Sequence, residues 1–393
     1  MTTDPLAVLK DLIRIPSVNP MGRDVAGSIY LETRVADYLV ETFETLNIAH
    51  ERIEVVPGRS NVIARIVRPE SNTTILLDAH QDTVPVEGMT IDPFEPFERD
   101  GRLYGRGSCD VKGGMAAMLA AFLRLAADPP AGAATVIFSA TCDEEAGQLG
   151  MADLVKLWTD PTRSSQIITS PPDFAIVAEP TDLDIVVAHR GAVRWKLRTT
   201  GVACHSSRPA EGINAINRMG RVLAVLEDYA DELQTLLPPH PLCGSATLSV
   251  GRIEGGTSIN IVPDRCEIEI DRRSLPGELA QVVIEQMAAY LGERLDFEVK
   301  MLPPVVGLPL SDENNGPWAD RLLASITEVA GPHEKVGALY GTHASRVDDA
   351  GIPTVVFGPG SITQAHTKDE WIAIEELQRA SEIYFRFCAE ADS

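Results

Sequence analysis

Four short apolar, β-branched runs recur in the first half of this 393-residue chain, at residues 61–67, 74–79, 135–140 and 174–178. Their hydrophobicity is continuous rather than alternating, so both faces of each strand must be covered. Stretches with helical spacing lie around them: about 5–13 and 26–46 before the first run, and 114–127 between the second and third. Buried strands separated by helices predict an α/β fold, a mostly parallel sheet flanked by helices. At this length one ordinary core is too small, and two domains are expected.

The middle of the chain has a different rhythm. A strand at 192–200 precedes a helix at about 213–236; strands follow at 246–253 and 265–271, then a helix at 277–294 and a strand at 296–301. The order β-α-β-β-α-β is the ferredoxin-like α+β unit. Its strands alternate, as in Cys266-Glu267-Ile268-Glu269-Ile270-Asp271, so one face is solvated or covered by a partner. After Pro303 and Pro304 the first pattern resumes, with a helix at about 317–329, a strand at 354–357 and a helix at 372–388. The expected organisation is a larger α/β domain in two parts, 1–187 and 303–393, with a small domain inserted at 188–302.

Charge narrows the function classes. Lys plus Arg is 34 and Asp plus Glu is 57, a formal net charge of -23. A surface this acidic repels phosphate backbones and anionic membranes, so no nucleic-acid or membrane partner is expected. The opening Met1-Thr2-Thr3-Asp4-Pro5 lacks a basic region followed by an apolar core, and no apolar run reaches the ~18 residues of a membrane span. Six cysteines without a C-x-x-C pair read as reduced thiols in a cytoplasmic protein.

The chemistry concentrates at one topological position. His80-Gln81-Asp82 follows the run at 74–79, Asp143-Glu144-Glu145 follows 135–140, Glu179 follows 174–178, and His366 lies in the loop after 354–357. Asp110 closes a Gly-rich turn, Gly105-Arg106-Gly107-Ser108-Cys109-Asp110, just before a helix. In open α/β sheets the ligand site lies beyond the carboxyl ends of the strands. Singly, each element is weak. A His-x-Asp pair is commonly a turn, adjacent glutamates usually mark a solvated face, and the Gly-rich turn lacks the Lys-Ser/Thr ending of a phosphate loop. Their coincidence at one sheet edge is the signal. Two histidines and several carboxylates suit zinc, with cobalt or manganese as substitutes.

These segments, in order, resemble the co-catalytic zinc hydrolase family of aminoacylase, acetylornithine deacetylase, succinyl-diaminopimelate desuccinylase and carboxypeptidase G. The matching stretches are Asp78-Ala79-His80-Gln81-Asp82-Thr83-Val84-Pro85, then Gly105-Arg106-Gly107-Ser108-Cys109-Asp110-Val111-Lys112-Gly113-Gly114, Asp143-Glu144-Glu145 and Ala178-Glu179-Pro180-Thr181. Cys204-His205-Ser206-Ser207, Gly255-Gly256-Thr257-Ser258-Ile259-Asn260-Ile261-Val262-Pro263 and Gly358-Pro359-Gly360 through His366 complete the set. The loop ending at His366 is closest to the acetylornithine deacetylase version.

The resemblance implies a zinc-exopeptidase-like catalytic domain carrying two divalent metal ions and an inserted lid and dimerisation domain. His80 and Glu179 would serve one metal, Glu145 and His366 the other, with Asp110 bridging. Asp82 would orient His80 by a hydrogen bond. A metal-bridged water would be the nucleophile, with Glu144 as general base. The Asp110–Val111 peptide is expected to be cis. His205 would donate to the oxyanion, often across a homodimer, and Arg272, Asn260, Gly341, Thr342 and His343 would contact substrate. One departure stands out: where relatives often place an acidic residue after the threonine of this loop, the chain reads Gly341-Thr342-His343-Ala344. An acid there could recognise a substrate amine, so His343 puts ornithine-type specificity in doubt.

The implied activity is hydrolysis of the amide bond of a small N-acyl amino acid, with desuccinylase, carboxypeptidase or dipeptidase chemistry as alternatives in the same family. A non-catalytic metal- or ligand-binding homologue is a remoter reading, disfavoured because a base beside a metal ligand has little use in a purely structural site. No Gly-x-Ser-x-Gly elbow follows any strand, which disfavours a serine hydrolase.

Overall fold

The computed structural model describes residues 2–391. They form two compact bodies: one takes the described residues up to Val187, Asp312–Val336 and the described residues from His343 onward, the other Ala188–Ser311 and Gly337–Thr342.

The first body is built on an eight-stranded sheet. Its order is Ala49–Val56, Arg59–Ile66, Thr135–Thr141, Thr74–His80, Phe174–Val177, Thr354–Val356, Ile185–His189 and Lys335–Ala338. Strand Thr74–His80 runs parallel to Thr135–Thr141 on one side and to Phe174–Val177 on the other, and Thr354–Val356 runs parallel to Phe174–Val177. The carboxyl ends of four neighbouring strands therefore open on one edge. These strands are buried on both faces, as their continuous apolar runs require.

The alternating strand Ala49–Val56 (Ala-His-Glu-Arg-Ile-Glu-Val-Val) has no counterpart in the sequence reading. It is an edge strand with few buried positions, so it lacks the apolar run that marks the others. Helix Thr33–Thr45 is shorter than the expected 26–46, because the chain reaches it through turns and bridges at 27–32.

Helix Lys112–Ala127 is buried along almost its whole length. Two glycines let its first turn come this close. A Cβ on Gly113 would stand 2.3 Å from the Ser108 carbonyl oxygen, and one on Gly114 2.7 Å from the Ala178 Cβ. Substitution at Gly114 would push the helix away from the strand end that carries Glu179, and substitution at Gly113 would push it off the turn at Ser108.

The second body is an antiparallel sheet in the order Thr247–Gly255, Arg265–Ser274, Gly191–Thr200, Lys300–Met301, with Val305–Gly307 also pairing with Gly191–Thr200. This is the ferredoxin-like order. Helices Ala215–Leu236 and Ala280–Arg294 cover one face, burying Val193, Trp195, Leu197, Met219, Leu226, Ile268, Ile270 and Met287 in one core. The other face carries cross-strand ion pairs: Arg194 with Asp271, Lys196 with Glu269, and Arg198 with Glu267. The alternation seen in the sequence is thus an apolar side under helices and a charged side outside. The body continues past residue 302 to Ser311 because Val305–Gly307 is still part of its sheet. Among the described residues no helix is long and apolar enough to cross a membrane.

Helix Pro5–Arg14 ends on an unusual support. Asp4 caps its start, accepting from the Leu6 N–H at 3.1 Å. At its other end the buried Lys112 Nζ donates to the carbonyls of Leu12 at 2.9 Å and Ile15 at 2.6 Å. Burial pulls the Lys112 amine down to about 7, and a neutral amine still has the two hydrogens these carbonyls need. A group whose folded pKa lies below its unfolded value adds stability as pH rises between the two. Replacing Lys112 with Met should destabilise the protein, because the carbonyls of Leu12 and Ile15 each lose a donor. The deficit should widen between pH 7 and 9 by up to about 1.4 kcal/mol per unit. Urea unfolding of both proteins at each pH measures this, and a deficit that does not grow would place a charged lysine in the core.

Candidate active site

The strand ends bring the acidic clusters together. His80 is the last residue of its strand, and Asp143-Glu144-Glu145 and Glu179 follow the strands on either side. Nitrogen and oxygen atoms of His80, Glu144 and Glu179 lie within 4.8 Å of one another, as do those of His80, Asp110 and Glu145. Asp110 is the hub. Its Oδ1 lies 3.1 Å from His80 Nε2 and its Oδ2 3.2 Å from His366 Nε2, which is also 3.2 Å from Glu145 Oε2. One carboxylate thus presents an oxygen to each histidine. The Asp110–Val111 peptide is cis.

His80 is oriented for ligation. Its Nδ1 lies 2.9 Å from the Asp82 carbonyl oxygen. A carbonyl only accepts, so Nδ1 donates to it, and Nε2 is the ring nitrogen left facing Asp110. The orienting group is the main chain of Asp82; its carboxylate lies 3.7 Å away. That carboxylate has another task. It accepts from the N–H groups of Glu144 at 3.0 Å and Glu145 at 3.2 Å, and from Asn19 Nδ2 at 2.7 Å. Asp82 therefore pins the loop that carries Glu144 and Glu145. Arg59 braces the same loop, pairing with Glu32 and Asp143.

The turn before the buried helix is held the same way. Glu370, fully buried, accepts from the N–H groups of Gly107 at 3.0 Å, Cys109 at 2.8 Å and Asp110 at 2.9 Å, and from Arg106 Nη1 at 2.6 Å. The sequence reading missed Glu370, Arg59, Glu32 and Asn19. For Glu370 a signal exists in principle: a Gly-rich turn entering a buried helix leaves N–H groups that need an acceptor.

The electrostatics follow from burying like charges together. Burial raises Glu144, and burial with the charge of Asp110 lifts Glu145 to about 8 and Glu179 well above the usual range. Burial works against Asp110 too, yet the contacts with His366 and His80 hold it below the ordinary carboxylate value. Burial disfavours charge on His80, but Asp110, Glu179 and Asp82 raise it well above its usual value, and the contact with Asp110 raises His366 to about 10. Glu145 Oε1 is buried with no hydrogen-bond partner. Oxygen and imidazole donors, an orphaned carboxylate oxygen and a bridging carboxylate together fit divalent cations.

The other expected substrate contacts divide between the bodies. His343 belongs to the first and is buried, its Nε2 2.8 Å from Asp78 Oδ2 without hydrogen-bond alignment. His205, Asn260, Arg272, Gly341 and Thr342 belong to the second. His205 is exposed, and the Ser207 N–H donates to its Nδ1 at 3.2 Å, leaving a hydrogen on Nε2 in the neutral ring. Asn260 is exposed and accepts from Ser258. The Thr342 N–H donates to His189 Nε2 at 3.2 Å. Arg272 is fully buried and spends its guanidinium on Glu278, at 2.8 Å, and on the Arg273 carbonyl. Its Nε is buried without a hydrogen-bond partner.

Comparison with known proteins gives a consistent result. Residues 76–390 match the model of Peptidase family M20/M25/M40. An acetylornithine deacetylase of Vibrio campbellii is 33% identical over 359 residues, covering 90% of each chain. Among solved structures, aminopeptidase PepT of Bacillus cereus superposes with a TM-score of 0.76 at 20% identity, over 100% of both chains. The YXEP protein of Bacillus subtilis, a dinuclear metal-binding peptidase of the M20 family, gives 0.68 at 19% identity, covering 99% of this chain and 98% of its own.

Removing the Glu370 carboxylate tests the scaffold. Glu370→Ala leaves three N–H groups without their acceptor and the buried Arg106 without its counter-charge, and should cost about 3–5 kcal/mol. Glu370→Gln should cost less, because an amide oxygen still accepts. Denaturant unfolding of the two variants checks the order; equal losses would mean that the full negative charge, not an acceptor oxygen or side-chain volume, holds the turn.

Proposed function

The chain belongs to Peptidase family M20/M25/M40 and hydrolyses amide or peptide bonds, and from that premise we propose that it is a deacylase of small N-acyl amino acids, of the acetylornithine deacetylase type. The observation that carries this reading is the half-buried Glu144 carboxylate, whose oxygen shares a 4.8 Å cluster with His80 and Glu179. Likeness to acetylornithine deacetylases over nine-tenths of the chain favours a deacylase over the peptidase alternatives.

His80, Asp110 and Glu179 would hold one divalent ion, and Asp110, Glu145 and His366 a second, most simply zinc. Such ions, when bound, lower the pKa of water and polarise a carbonyl. The protein's own groups do the rest. Glu144 takes the proton from the attacking water and returns it to the leaving amine, so the C–N bond breaks as the amine gains its hydrogen. Burial raises the Glu144 pKa, a shift in the direction that suits a group that must first accept a proton and then give it up. His205, with its hydrogen on Nε2, is assigned as donor to the oxyanion. A homodimer is part of the same reading, supported by the sheet edge at Thr247–Gly255, which pairs on one side only. A cytoplasmic location fits the buried thiols of Cys109, Cys142 and Cys388, none in a disulfide.

His343 bears on the choice of amino acid. Its burial against Asp78 leaves no acidic group at this position of the loop to meet a substrate amine. Asn260, Gly341, Thr342 and Arg272 remain the proposed contacts.

The test is a panel of N-acetylornithine, other N-acetyl amino acids, N-succinyl-diaminopimelate and dipeptides, offered to metal-loaded protein with and without chelator. Chelator-sensitive release of an acyl group from an N-acetyl amino acid is expected, and preference for a dipeptide would replace the deacylase reading with a dipeptidase. On the preferred substrate Glu144→Ala should lower kcat by at least about 10²-fold while two metals per chain remain by elemental analysis. Survival of more than a few per cent of the activity would mean that another group is the base.

A further inference from the structure

Two side chains beside the candidate centre have no part in the chemistry above. Gln148 Nε2 donates to Glu144 Oε1 at 3.2 Å, and Gln148 Oε1 accepts from Arg346 Nε at 3.1 Å. All three residues lie in the first body. They form a line from helix Ala344–Asp349, which carries Arg346, to the carboxylate assigned as base.

The order of atoms in this line is not free. An arginine has donors and no acceptor, so the guanidinium can meet only the oxygen end of the amide. The nitrogen end must then face Glu144. A glutamine without such a neighbour could turn either end, and with its oxygen toward Glu144 it would repel the carboxylate. Arg346 thus decides which end of Gln148 the base meets.

The backbone gives a second, independent observation. Gln148 adopts φ 55° and ψ 33°, a left-handed conformation that non-glycine residues seldom take. Its N–H is spent on the Asp143 carbonyl at 2.5 Å. The conformation sets Gln148 at the head of helix Leu149–Leu154 with its side chain toward Glu144. A glycine would take this backbone with less strain, but it could not reach Glu144.

We propose that Arg346, acting through Gln148, is a positioning residue for Glu144: it ties down one carboxylate oxygen and leaves the other to face the attacking water. This rests on the assignment of Glu144 as base. Tying one oxygen removes a rotation that would otherwise have to be arrested in the transition state, which is where such restraint raises kcat rather than binding. Half-burial suits Arg346 to the task. Burial weakens its hold on its proton, while the charges of Asp349 and Glu144 strengthen it.

Steady-state kinetics on the preferred amide separate the possibilities. Gln148→Leu and Arg346→Met should each lower kcat about tenfold or more, with KM and bound metal unchanged. The double variant should be no worse than the poorer single one, since both break the same line. Arg346→Lys, which keeps a donor, should recover part of the loss. A raised KM at constant kcat would make Arg346 a substrate contact and overturn the proposal, as would losses that add. If Arg346→Met does not fold, Gln148→Leu and Arg346→Lys carry the kinetic test.

A readout that needs no turnover accompanies it. In ¹⁵N-labelled protein as purified, Gln148→Leu should shift the Arg346 Nε–H resonance, and Glu144→Gln should shift the Gln148 side-chain amide. If neither moves, the line does not exist in solution and the proposal falls. If wild-type protein hydrolyses no amide on the panel, the deacylase reading fails, and the two resonances still decide whether the three side chains are coupled.

Discussion

Carboxylates crowded into one buried space repel each other, and the architecture of the first body answers that repulsion. Asp82, Asp110, Glu144, Glu145 and Glu179 converge at the carboxyl ends of neighbouring strands. Left to themselves, buried like charges take up protons or spread apart. Here each is fixed by something that cannot move cheaply. Asp82 is bound to two main-chain N–H groups and to Asn19, and Asp110 is clamped between two histidines. Glu179 follows a strand paired on both sides. The fold leaves the cluster little room to relax, so burial and mutual repulsion raise Glu144, Glu145 and Glu179, and a divalent cation is the kind of charge that would relieve them.

Around the cluster lies a second tier of charges whose partners are largely main-chain or oppositely charged groups. Glu370 satisfies three consecutive-turn N–H groups and Arg106; Arg59 joins Glu32 to Asp143. Removing either partner of such a buried pair leaves an uncompensated charge, which is far worse than removing an exposed pair. The exposed ladder on the second body (Arg194 with Asp271 and its neighbours) is the contrast. Those pairs are wet, individually worth little, and suit an outer face.

The parts of this architecture that showed in the sequence share a physical trait. Strands buried on both faces leave continuous apolar runs, so 74–80, 135–141 and 174–177 were legible to within a residue or so. Edge strand Ala49–Val56 was not, because half its residues are charged or polar. The family pattern named His80, Asp110, Glu145 and His366, and the structure brings these four together. It did not reveal that the Asp82 carbonyl rather than its carboxylate touches His80, since a residue type says nothing about which of its oxygens faces a neighbour. Glu370 and Arg346 were invisible for a related reason. They act on atoms reached only through folding, 260 residues away in one case and 198 in the other.

Position 343 shows how far such likeness carries. The neighbouring Gly341 and Thr342 follow the family pattern, but His343 packs against Asp78, whose carboxylate also accepts from Ser139 and Thr141. Asp78 is fully buried in a central strand, where Ser139 and Thr141 supply its hydrogen bonds, and His343 Nε2 lies beside it without hydrogen-bond alignment. An acid at 343 would set a second negative charge beside the Asp78 carboxylate, so the two positions bear on each other. His343 is thus tied to the packing of the sheet behind the site. A substrate amine would find no carboxylate at this position of the loop.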